Sequence, residues 1–156
     1  MLKINIPGKG DLSLQHLIVD YNGTIAFDGN LISGVAEQLN QLAEYLEIHI
    51  LTADTFGTAS QKCRELQANI KLITSKNGTL EKGRIVDSLG PKKVVAIGNG
   101  VNDTLMLKKA ALGIAVIGKE GAAQIAISKA DVIVNDIQDA LGLLLNTTRL
   151  KATLRA

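Results

Sequence analysis

The first residues with the potential for chemistry follow a short apolar segment, in the stretch "LIVDYNGTIAF" at residues 17–27. The segment runs into Asp20, and a carboxylate at the end of a buried strand can bind Mg²⁺ or attack phosphorus. Asn22 would point the same way in an extended chain, Gly23 lets the backbone approach a ligand, and Thr24 offers a hydroxyl to a phosphate oxygen or a turn. A strand-ending Asp in an Asx-turn would explain Asp20 equally well, so this stretch alone leaves both interpretations open.

A hydroxyl and an ammonium group further along the chain are candidates to act with this carboxylate. Thr52 ends the segment "HILT", where it could hold a phosphate oxygen beside the next N–H groups, although Thr52 or Asp54 could instead cap a helix. Lys82 lies in the first turn of a predicted helix, where a cation is slightly unfavourable. Pairing with a phosphate and with Asp20 would explain this position. A solvated surface lysine is the alternative, and Lys76 competes for the role.

The stretch "GNGVND" at residues 98–103 combines a glycine-rich turn with acidic and amide side chains. Gly98 and Gly100 would let the backbone approach a ligand, and Asp103 could bind a metal ion or orient water. A plain strand-to-helix turn capped by Asn102 or Asp103 is the alternative. A single Gly-x-Gly is weak evidence for a phosphate-binding loop.

The composition limits the classes of function that fit this chain. Its 156 residues suit one domain, residues 1–156, with an aliphatic core, because 46% are apolar and only 3% aromatic. So few aromatics, with a net charge of +2, argue against a nucleic-acid or membrane partner. The single Cys63 excludes an intramolecular disulfide and suits a reducing, cytoplasmic setting. His16 and His49 fall inside predicted strands and are interpreted as structural.

Segments that are predicted to form strands alternate along the chain with segments that are predicted to form helices. The predicted strands are 14–20, 48–54, 70–74, 93–100, 112–118 and 131–136. The predicted helices are 33–46 with Ser33 as cap, 58–68, 79–89 with Thr79 as cap, 101–111, 120–130 and 137–145, and the basic tail 146–156 is expected to fray. Residues 28–30 predict a tight hairpin. This order predicts a three-layer, Rossmann-like α/β domain with a mostly parallel sheet, whose ligands bind at the carboxyl ends of the strands.

The candidate motifs resemble, in their order, those of the haloacid dehalogenase-like (HAD) phosphohydrolases. The four pieces are "DYNGT", "LTAD", Lys82 in "LEKGRIVDSLG", and "GNGVND". The stretch "VVAIGNGVNDTLMLKKAALGIAV" followed by "ADVIV" is similar to the phosphorylation domain of P-type ATPases, and the closest resemblance is to the small soluble P-type-ATPase-like HAD proteins, from about Leu14 to Leu145. The intervals between motifs leave no room for a cap domain, and no pump-like nucleotide domain or membrane helix is present. We therefore expect an open site, or one that a second subunit of a homo-oligomer covers.

The resemblance implies roles for the candidate residues. Asp20 would form an aspartyl-phosphate, Thr52 and the backbone N–H groups of Gly23 and Ala53 would hold the phosphoryl group, and Lys82 would neutralise charge. The spacing of Lys82 ahead of "GNG" matches the family better than that of Lys76. Mg²⁺ would be bound by Asp20, by the backbone carbonyl of Asn22, and by the loop that contains Asn99 and Asp103.

Two departures from the family pattern bear on activity. Asn22 stands where family phosphatases usually have the Asp that acts as general acid and base, and such help is typically worth about 10²–10⁴-fold. Asn99 stands where the metal-binding Asp is usual, so we expect weaker Mg²⁺ binding, with Asp103 as the alternative ligand. The expected function is a slow Mg²⁺-dependent phosphatase for a phosphorylated substrate. A module that only binds phosphate or a protein partner, or a phosphoacceptor switch, remains the alternative. An unrelated Rossmann-like nucleotide binder is disfavoured, because no G-x-G-x-x-G follows the first strand.

Overall fold

The computed structural model describes residues 1–54 and 57–156, and these form ten strands and seven α-helices. The strands are β1 Leu2–Ile6, β2 Gly10–Leu14, β3 His16–Asp20, β4 Ala26–Phe27, β5 Asn30–Leu31, β6 Glu47–Thr52, β7 Asn69–Leu72, β8 Val94–Gly98, β9 Leu112–Val116 and β10 Val132–Val134. The helices are α1 Val35–Leu42, α2 Thr58–Lys62, α3 Gly78–Leu89, α4 Thr104–Lys109, α5 Gln124–Ile127, α6 Ile137–Leu145 and α7 Thr147–Leu154. None of the helices in this described part of the chain is long and apolar enough to cross a membrane.

A six-stranded parallel sheet forms the centre of the molecule, in the order β10-β9-β8-β3-β6-β7. Strand β3 therefore lies between β8 and β6. Its last residue, Asp20, is opposite Leu51 on β6, and Val19 is opposite Ile97 on β8. The α/β prediction with a parallel sheet is confirmed. The carboxyl ends of the three strands that bear the candidate motifs meet at one edge.

Both faces of this sheet are covered, which explains why its central strands are apolar along their whole length. Leu17 and Val19 of β3 belong to one core, which also includes apolar residues of α1, α6 and α7. Ile18 points the opposite way, into a second core with residues of α3 and α4 such as Val86 and Leu107. The result is the predicted three-layer arrangement of helices, sheet and helices.

The predicted hairpin at residues 28–30 is present as the β4–β5 pair. Asp28 and Gly29 both have positive φ, 49° and 76°, as a type I′ turn requires. The hydroxyl of Tyr21 donates to the carbonyl of Gly29 at 3.0 Å, which ties the hairpin to the end of β3. Between β3 and β6 the chain forms only this hairpin and α1, so no cap domain is inserted there.

Helix starts and lengths differ from the predictions. Gly34, with φ 82°, and not Ser33, precedes α1. Asn77, and not Thr79, caps α3, because its side chain accepts from the N–H of Leu80 at 3.1 Å. Helices α1, α2, α4 and α5 are shorter than predicted, and α4 is preceded by a separate 3₁₀ turn at Val101–Asp103.

The two ends of the chain are more ordered than the sequence analysis expected. Strands β1 and β2 form an antiparallel hairpin that was not predicted, with Ile4 and Ile6 buried. The basic tail is not frayed but forms α7, whose Leu150 is fully buried, and the N–H of Ala156 donates to the carbonyl of Pro7 at 3.2 Å. Spacing of apolar residues within the tail was too sparse to indicate this helix, which the core supports through Leu150.

Candidate active site

A buried ammonium group joins two buried carboxylates at the carboxyl edge of the sheet. Lys82 Nζ donates to Asp20 Oδ1 at 2.6 Å and to Asp103 Oδ1 at 2.7 Å. The exposed fractions of Lys82, Asp103 and Asp20 are only 1%, 0% and 8%. A buried charge is costly unless it is paired, so the burial of these three side chains depends on the contacts between them.

Three separate elements bring the trio together. Asp20 ends β3, and Lys82 lies in the second turn of α3, so it does not suffer the unfavourable position in a first turn that the sequence suggested. The structure places Lys82 beside Asp20, whereas the competing Lys76 is exposed. Helix α3 packs on α4, which follows the loop that supplies Asp103.

Asp103 is fully engaged by protein donors. Its Oδ2 accepts from the N–H of Asn99 at 3.0 Å and from the N–H of Gly100 at 2.9 Å, while Oδ1 accepts from Lys82. The side chain thus organises the loop and orients Lys82. It does not cap α4 through its side chain, and the predicted contact of Asp103 with a metal ion stays a prediction.

The glycine at the end of β8 is required by the close approach of Asp103. A Cβ on Gly98 would lie 2.5 Å from Asp103 Cγ and 2.6 Å from its Oδ2, far closer than any real contact. Asp103 cannot move aside without losing its bonds to Lys82 and to the loop.

We therefore expect Gly98→Ala to lower kcat at least 10-fold and to destabilise the fold by about 1–3 kcal/mol, as overpacking does. Steady-state hydrolysis and thermal unfolding would measure the two effects. Gly78→Ala is the matched control, since a Cβ there meets Ile73 Cγ2 at an ordinary 3.4 Å. Equal activity of the two variants would contradict this account of Gly98.

Asn99 is held by two neighbours and does not point freely into the site. Its Oδ1 accepts from the hydroxyl of Thr24 at 3.3 Å, and its Nδ2 donates to the carbonyl of Gly121 at 3.0 Å. Thr24, which is 1% exposed, therefore orients Asn99 in this structure. The predicted contact of Thr24 with phosphate stays a prediction.

Glu120 lies beside the candidate site, and the sequence analysis did not name it. Gly23 has φ 77°, and a Cβ on it would lie 2.4 Å from Glu120 Oε2 and 2.7 Å from Asn99 Nδ2. The carboxylate of Glu120 thus lies beside the backbone that follows Asp20. It follows β9, so extending the search for polar strand-end residues to that strand would have found it.

The predicted phosphate-binding groups are placed at the same edge. Thr52 is buried, and its Oγ1 accepts from the N–H of Asp54 at 3.1 Å, which leaves the hydroxyl hydrogen for another acceptor. Ala53 is exposed beyond the end of β6. The N–H of Gly23 donates to the carbonyl of Ala26 at 2.9 Å, so phosphate binding there would have to replace that bond.

Neither of the two predicted caps of α2, Thr52 and Asp54, occupies its N-cap position, which is Gly57, but the first turn of the helix is bonded by the side chain of Asp54. Its Oδ2 accepts from the N–H of Ala59 at 2.7 Å and from the hydroxyl of Thr58. Thr52 is consequently not needed as a cap of α2. Asn22, next to the site, is exposed.

The electrostatics of the trio leave a deficit of positive charge. Burial, and then the charge of Asp103, raise the pKa of Asp20 from its ordinary 3.8 to about 7, although Lys82 opposes the shift. Burial alone would lower the pKa of Lys82, but Asp20 and Asp103 outweigh it and raise that pKa. Two carboxylates against one ammonium group therefore suit an additional cation.

The oxygen donors around Asp20 fit a hard divalent cation. The Asp20 carboxylate and the backbone carbonyl of Asn22 are close in the chain, and the amide oxygen of Asn99 and the carboxylate of Glu120 both lie beside Gly23. Mg²⁺ prefers such ligands. The donor set and the charge deficit agree with the predicted cofactor.

A cleft of about 660 Å³ extends from the site between the β4–β5 hairpin and the loop after β9. It begins at Gly23 and Thr24 and includes Phe27, Lys119 and Glu120. Lys119 Nζ lies 5.1 Å from the centre of the Phe27 ring, a cation–π distance. The cleft thus borders the backbone that follows Asp20, whereas Asp20, Thr52 and Lys82 do not line it.

Comparison with known proteins places the chain in a family. Residues 20–144 match haloacid dehalogenase-like hydrolases. An uncharacterised protein of Methanocaldococcus jannaschii is 62% identical over 64 residues, which cover 41% of this chain and 69% of that protein. A probable copper-exporting P-type ATPase of Archaeoglobus fulgidus is 28% identical over 123 residues, 76% of this chain but only 15% of the ATPase.

A solved structure shows the same fold. The 3-deoxy-D-manno-octulosonate 8-phosphate phosphatase of Moraxella catarrhalis, in complex with a magnesium ion, a phosphate ion and KDO, has a TM-score of 0.69. Its sequence is 16% identical, and the match covers 91% of this chain and 94% of that one. The family match spans most of the chain, and the sequence-based prediction of the family is confirmed. The chain belongs to the haloacid dehalogenase-like hydrolase family.

Proposed function

We propose that the protein is a Mg²⁺-dependent phosphohydrolase that works through an aspartyl-phosphate on Asp20. The observation that carries this proposal is the buried trio, in which Lys82 bridges Asp20 and Asp103 at 2.6 and 2.7 Å. An Asp with such partners at the mouth of a parallel sheet is a poised nucleophile and not a simple turn residue.

In the first step a carboxylate oxygen of Asp20 forms a bond to phosphorus while the bond from phosphorus to the ester oxygen breaks. The ester oxygen leaves with the electron pair and takes up a proton from solvent. Lys82 orients the carboxylate through Oδ1, and the hydroxyl of Thr52 donates to an oxygen of the moving phosphoryl group. These groups stabilise charge that develops on the phosphoryl oxygens.

In the second step a water oxygen attacks the phosphorus, and the bond to the Asp20 oxygen breaks. Inorganic phosphate leaves and the carboxylate is restored. A general base would accept the proton of the water, but the amide of Asn22 cannot do so. We therefore propose that this step is slow.

The residues fit the cofactor that the family resemblance implies. Asp20, the carbonyl of Asn22 and Asn99 would hold Mg²⁺, with Glu120 supplying negative charge that Asn99 lacks. Mg²⁺ bound there would favour the ionised form of Asp20 and offset charge on the phosphoryl oxygens.

We propose a small phosphorylated molecule as the substrate. Its leaving group would occupy the cleft beside Phe27, where Lys119 can meet an anionic or hydroxylated group. A second subunit would cover the open side, and the buried Cys63, the one thiol of the sequence, suits a cytoplasmic setting. These assignments rest on the chemistry of the lining residues and on the absence of an inserted cap between β3 and β6.

Removal of the metal tests the proposal directly. We expect the metal-stripped protein to hydrolyse p-nitrophenyl phosphate only after Mg²⁺ is added, with EDTA abolishing the activity. Release of p-nitrophenol measures the rate. Undiminished hydrolysis in EDTA would contradict the metal dependence. Neither hydrolysis nor binding of phosphate or beryllofluoride in Mg²⁺ would contradict the function.

A second candidate is favoured by the amides at positions 22 and 99. A protein that forms the aspartyl-phosphate but releases it poorly could act as a phosphoacceptor whose state a partner recognises. A module that binds phosphate without turnover is the limiting case. The candidates differ in the lifetime of an aspartyl-phosphate on Asp20.

A further inference from the structure

The two histidines of the sequence meet at the end of the sheet opposite to the candidate active site. His16 begins β3, and Glu47 and His49 are the first and third residues of β6. His16 is opposite Glu47 in the parallel register, and His49 is opposite Ile18. Because side chains alternate along strands, all three lie on one face. At about 3.3 Å per residue, His16 and Glu47 are roughly 13 Å from Asp20 along the strand direction, and His49 is roughly 7 Å from it.

We propose that His16, Glu47 and His49 form a site for a divalent transition metal ion of the zinc class. Their ligand atoms converge on one point: His16 Nδ1 is 3.3 Å from His49 Nε2 and 3.2 Å from Glu47 Oε2. His49 Nε2 is 3.9 Å from Glu47 Oε1. One ligand atom from each of the three residues lies within 4.8 Å of the other two, which suits the binding of a single ion.

The distances agree with tetrahedral coordination. Zn²⁺ bonds to nitrogen and oxygen are about 2.0–2.2 Å, which puts neighbouring ligand atoms of a tetrahedron about 3.3–3.5 Å apart. One of the three observed separations, 3.3 Å, has this value, and a second, 3.2 Å, is slightly below it. The third, 3.9 Å, involves the other carboxylate oxygen, so a small rotation of Glu47 would complete the set.

The backbone and a neighbouring amide hold these ligands in place. The imidazoles lie on two paired strands, and their side chains are only 16% and 13% exposed. Asn69 Nδ2 donates to Glu47 Oε1 at 2.9 Å, and the N–H of Glu47 donates to the carbonyl of Gln15 at 2.8 Å. Hydrogen bonds of this kind orient metal ligands in known sites. Burial also lowers the pKa of His49, which favours the neutral form of the ring that binds metal ions.

The ligand types select a different metal from that of the active site. Two imidazoles and one carboxylate suit Zn²⁺ or Co²⁺, whereas Mg²⁺ prefers a full set of oxygens. Glu47 is 53% exposed, so water can reach the fourth position. A bound ion would link the first residues of β3 and β6. The last residues of these two strands are Asp20 and Thr52.

Titration of the tag-free, metal-stripped chain with Zn²⁺ and Co²⁺ in excess Mg²⁺ tests this inference. We expect one equivalent of Zn²⁺ to raise the Tm and to shift the NMR signals of both imidazole rings together. Calorimetry should show the same affinity in Asp20→Asn, and an affinity at least 10-fold weaker in His16→Gln and His49→Gln. Bound Co²⁺ should show the visible spectrum of four-coordinate cobalt.

Two further variants keep the result interpretable if a histidine variant does not fold. Glu47→Gln changes a half-exposed residue and should weaken binding, while Glu44→Gln, an exposed acid just before β6, should not. Ring signals that do not move with one equivalent of Zn²⁺ would overturn the proposal. So would an affinity that Asp20→Asn removes, because the ion would then lie in the active site.

Discussion

Asp20→Asn is expected to lower phosphate-ester hydrolysis by on the order of 10⁴-fold or more, as removal of a nucleophile does. The amide cannot form the acyl-phosphate bond, yet it retains the shape of the side chain and an oxygen that can accept from Lys82. Hydrolysis of p-nitrophenyl phosphate in saturating Mg²⁺ measures the loss. The Asp20 peptide should also lose the mass increment of a phosphoryl group after incubation with acetyl phosphate.

The same variant should be more stable than the wild type at neutral pH without metal, which separates lost chemistry from lost folding. The pKa of Asp20 is about 7 in the folded protein against an ordinary 3.8, because of burial and of Asp103. Between these values the folded state holds the proton more tightly, so this group's contribution to wild-type stability is present below about pH 4 and falls as pH rises toward 7. Asn does not titrate, so its advantage should grow across that window.

Thermal unfolding in EDTA at pH 5 and pH 8 measures this difference. We expect Asp20→Asn to have the higher Tm at pH 8 and a smaller advantage at pH 5. A Tm that falls equally at both pH values would contradict the electrostatic account. Retained activity of a folded Asp20→Asn would exclude Asp20 as the nucleophile.

Asn22→Asp is expected to produce the largest gain, about 10²–10⁴-fold in the breakdown of the aspartyl-phosphate. Asn22 is exposed, so a carboxylate of the same shape can be introduced without a packing cost. It would accept the proton of the attacking water and donate one to the leaving group. Single-turnover decay of the phosphorylated protein and steady-state kcat measure the effect, and Asn99→Asp in the same chain should lower the Mg²⁺ concentration needed.

Asn102→Asp is the matched control, because it adds the same charge at an exposed position of the neighbouring loop. It should leave the rate within about 2-fold, since a surface charge at a distance is largely screened. A long-lived phosphoenzyme in the wild type that Asn22→Asp shortens would identify a phosphoacceptor built on an intact phosphatase scaffold. No gain from Asn22→Asp would indicate that the acid is not what limits turnover, and would favour the binding module.

The alternation of apolar strands with amphipathic helices can be read from local stretches of the sequence. It was sufficient to predict the parallel sheet, because a helix between two strands lets both run in the same direction. The same holds for residues that follow the strands: their positions at one edge are a consequence of parallel pairing. The hairpin at residues 28–30 was also predictable, since its turn residues tolerate positive φ. The predicted cap of α3, Thr79, was wrong, because several neighbouring residues offer a suitable side chain and Asn77 is the one that caps the helix.

The sequence by itself determined the parallel α/β fold, its family and the set of candidate residues around Asp20. Only the tertiary structure decided which contacts they make, such as the bonds of Asp103 to Lys82 and to the loop. It also added Glu120 beside the site and Leu150 of α7 in the core. It also brought His16, inferred to be merely structural, to within 3.3 Å of His49. The reason is physical. Local spacing sets which element forms, whereas strand register and helix packing, which join residues distant in the chain, set which side chains meet.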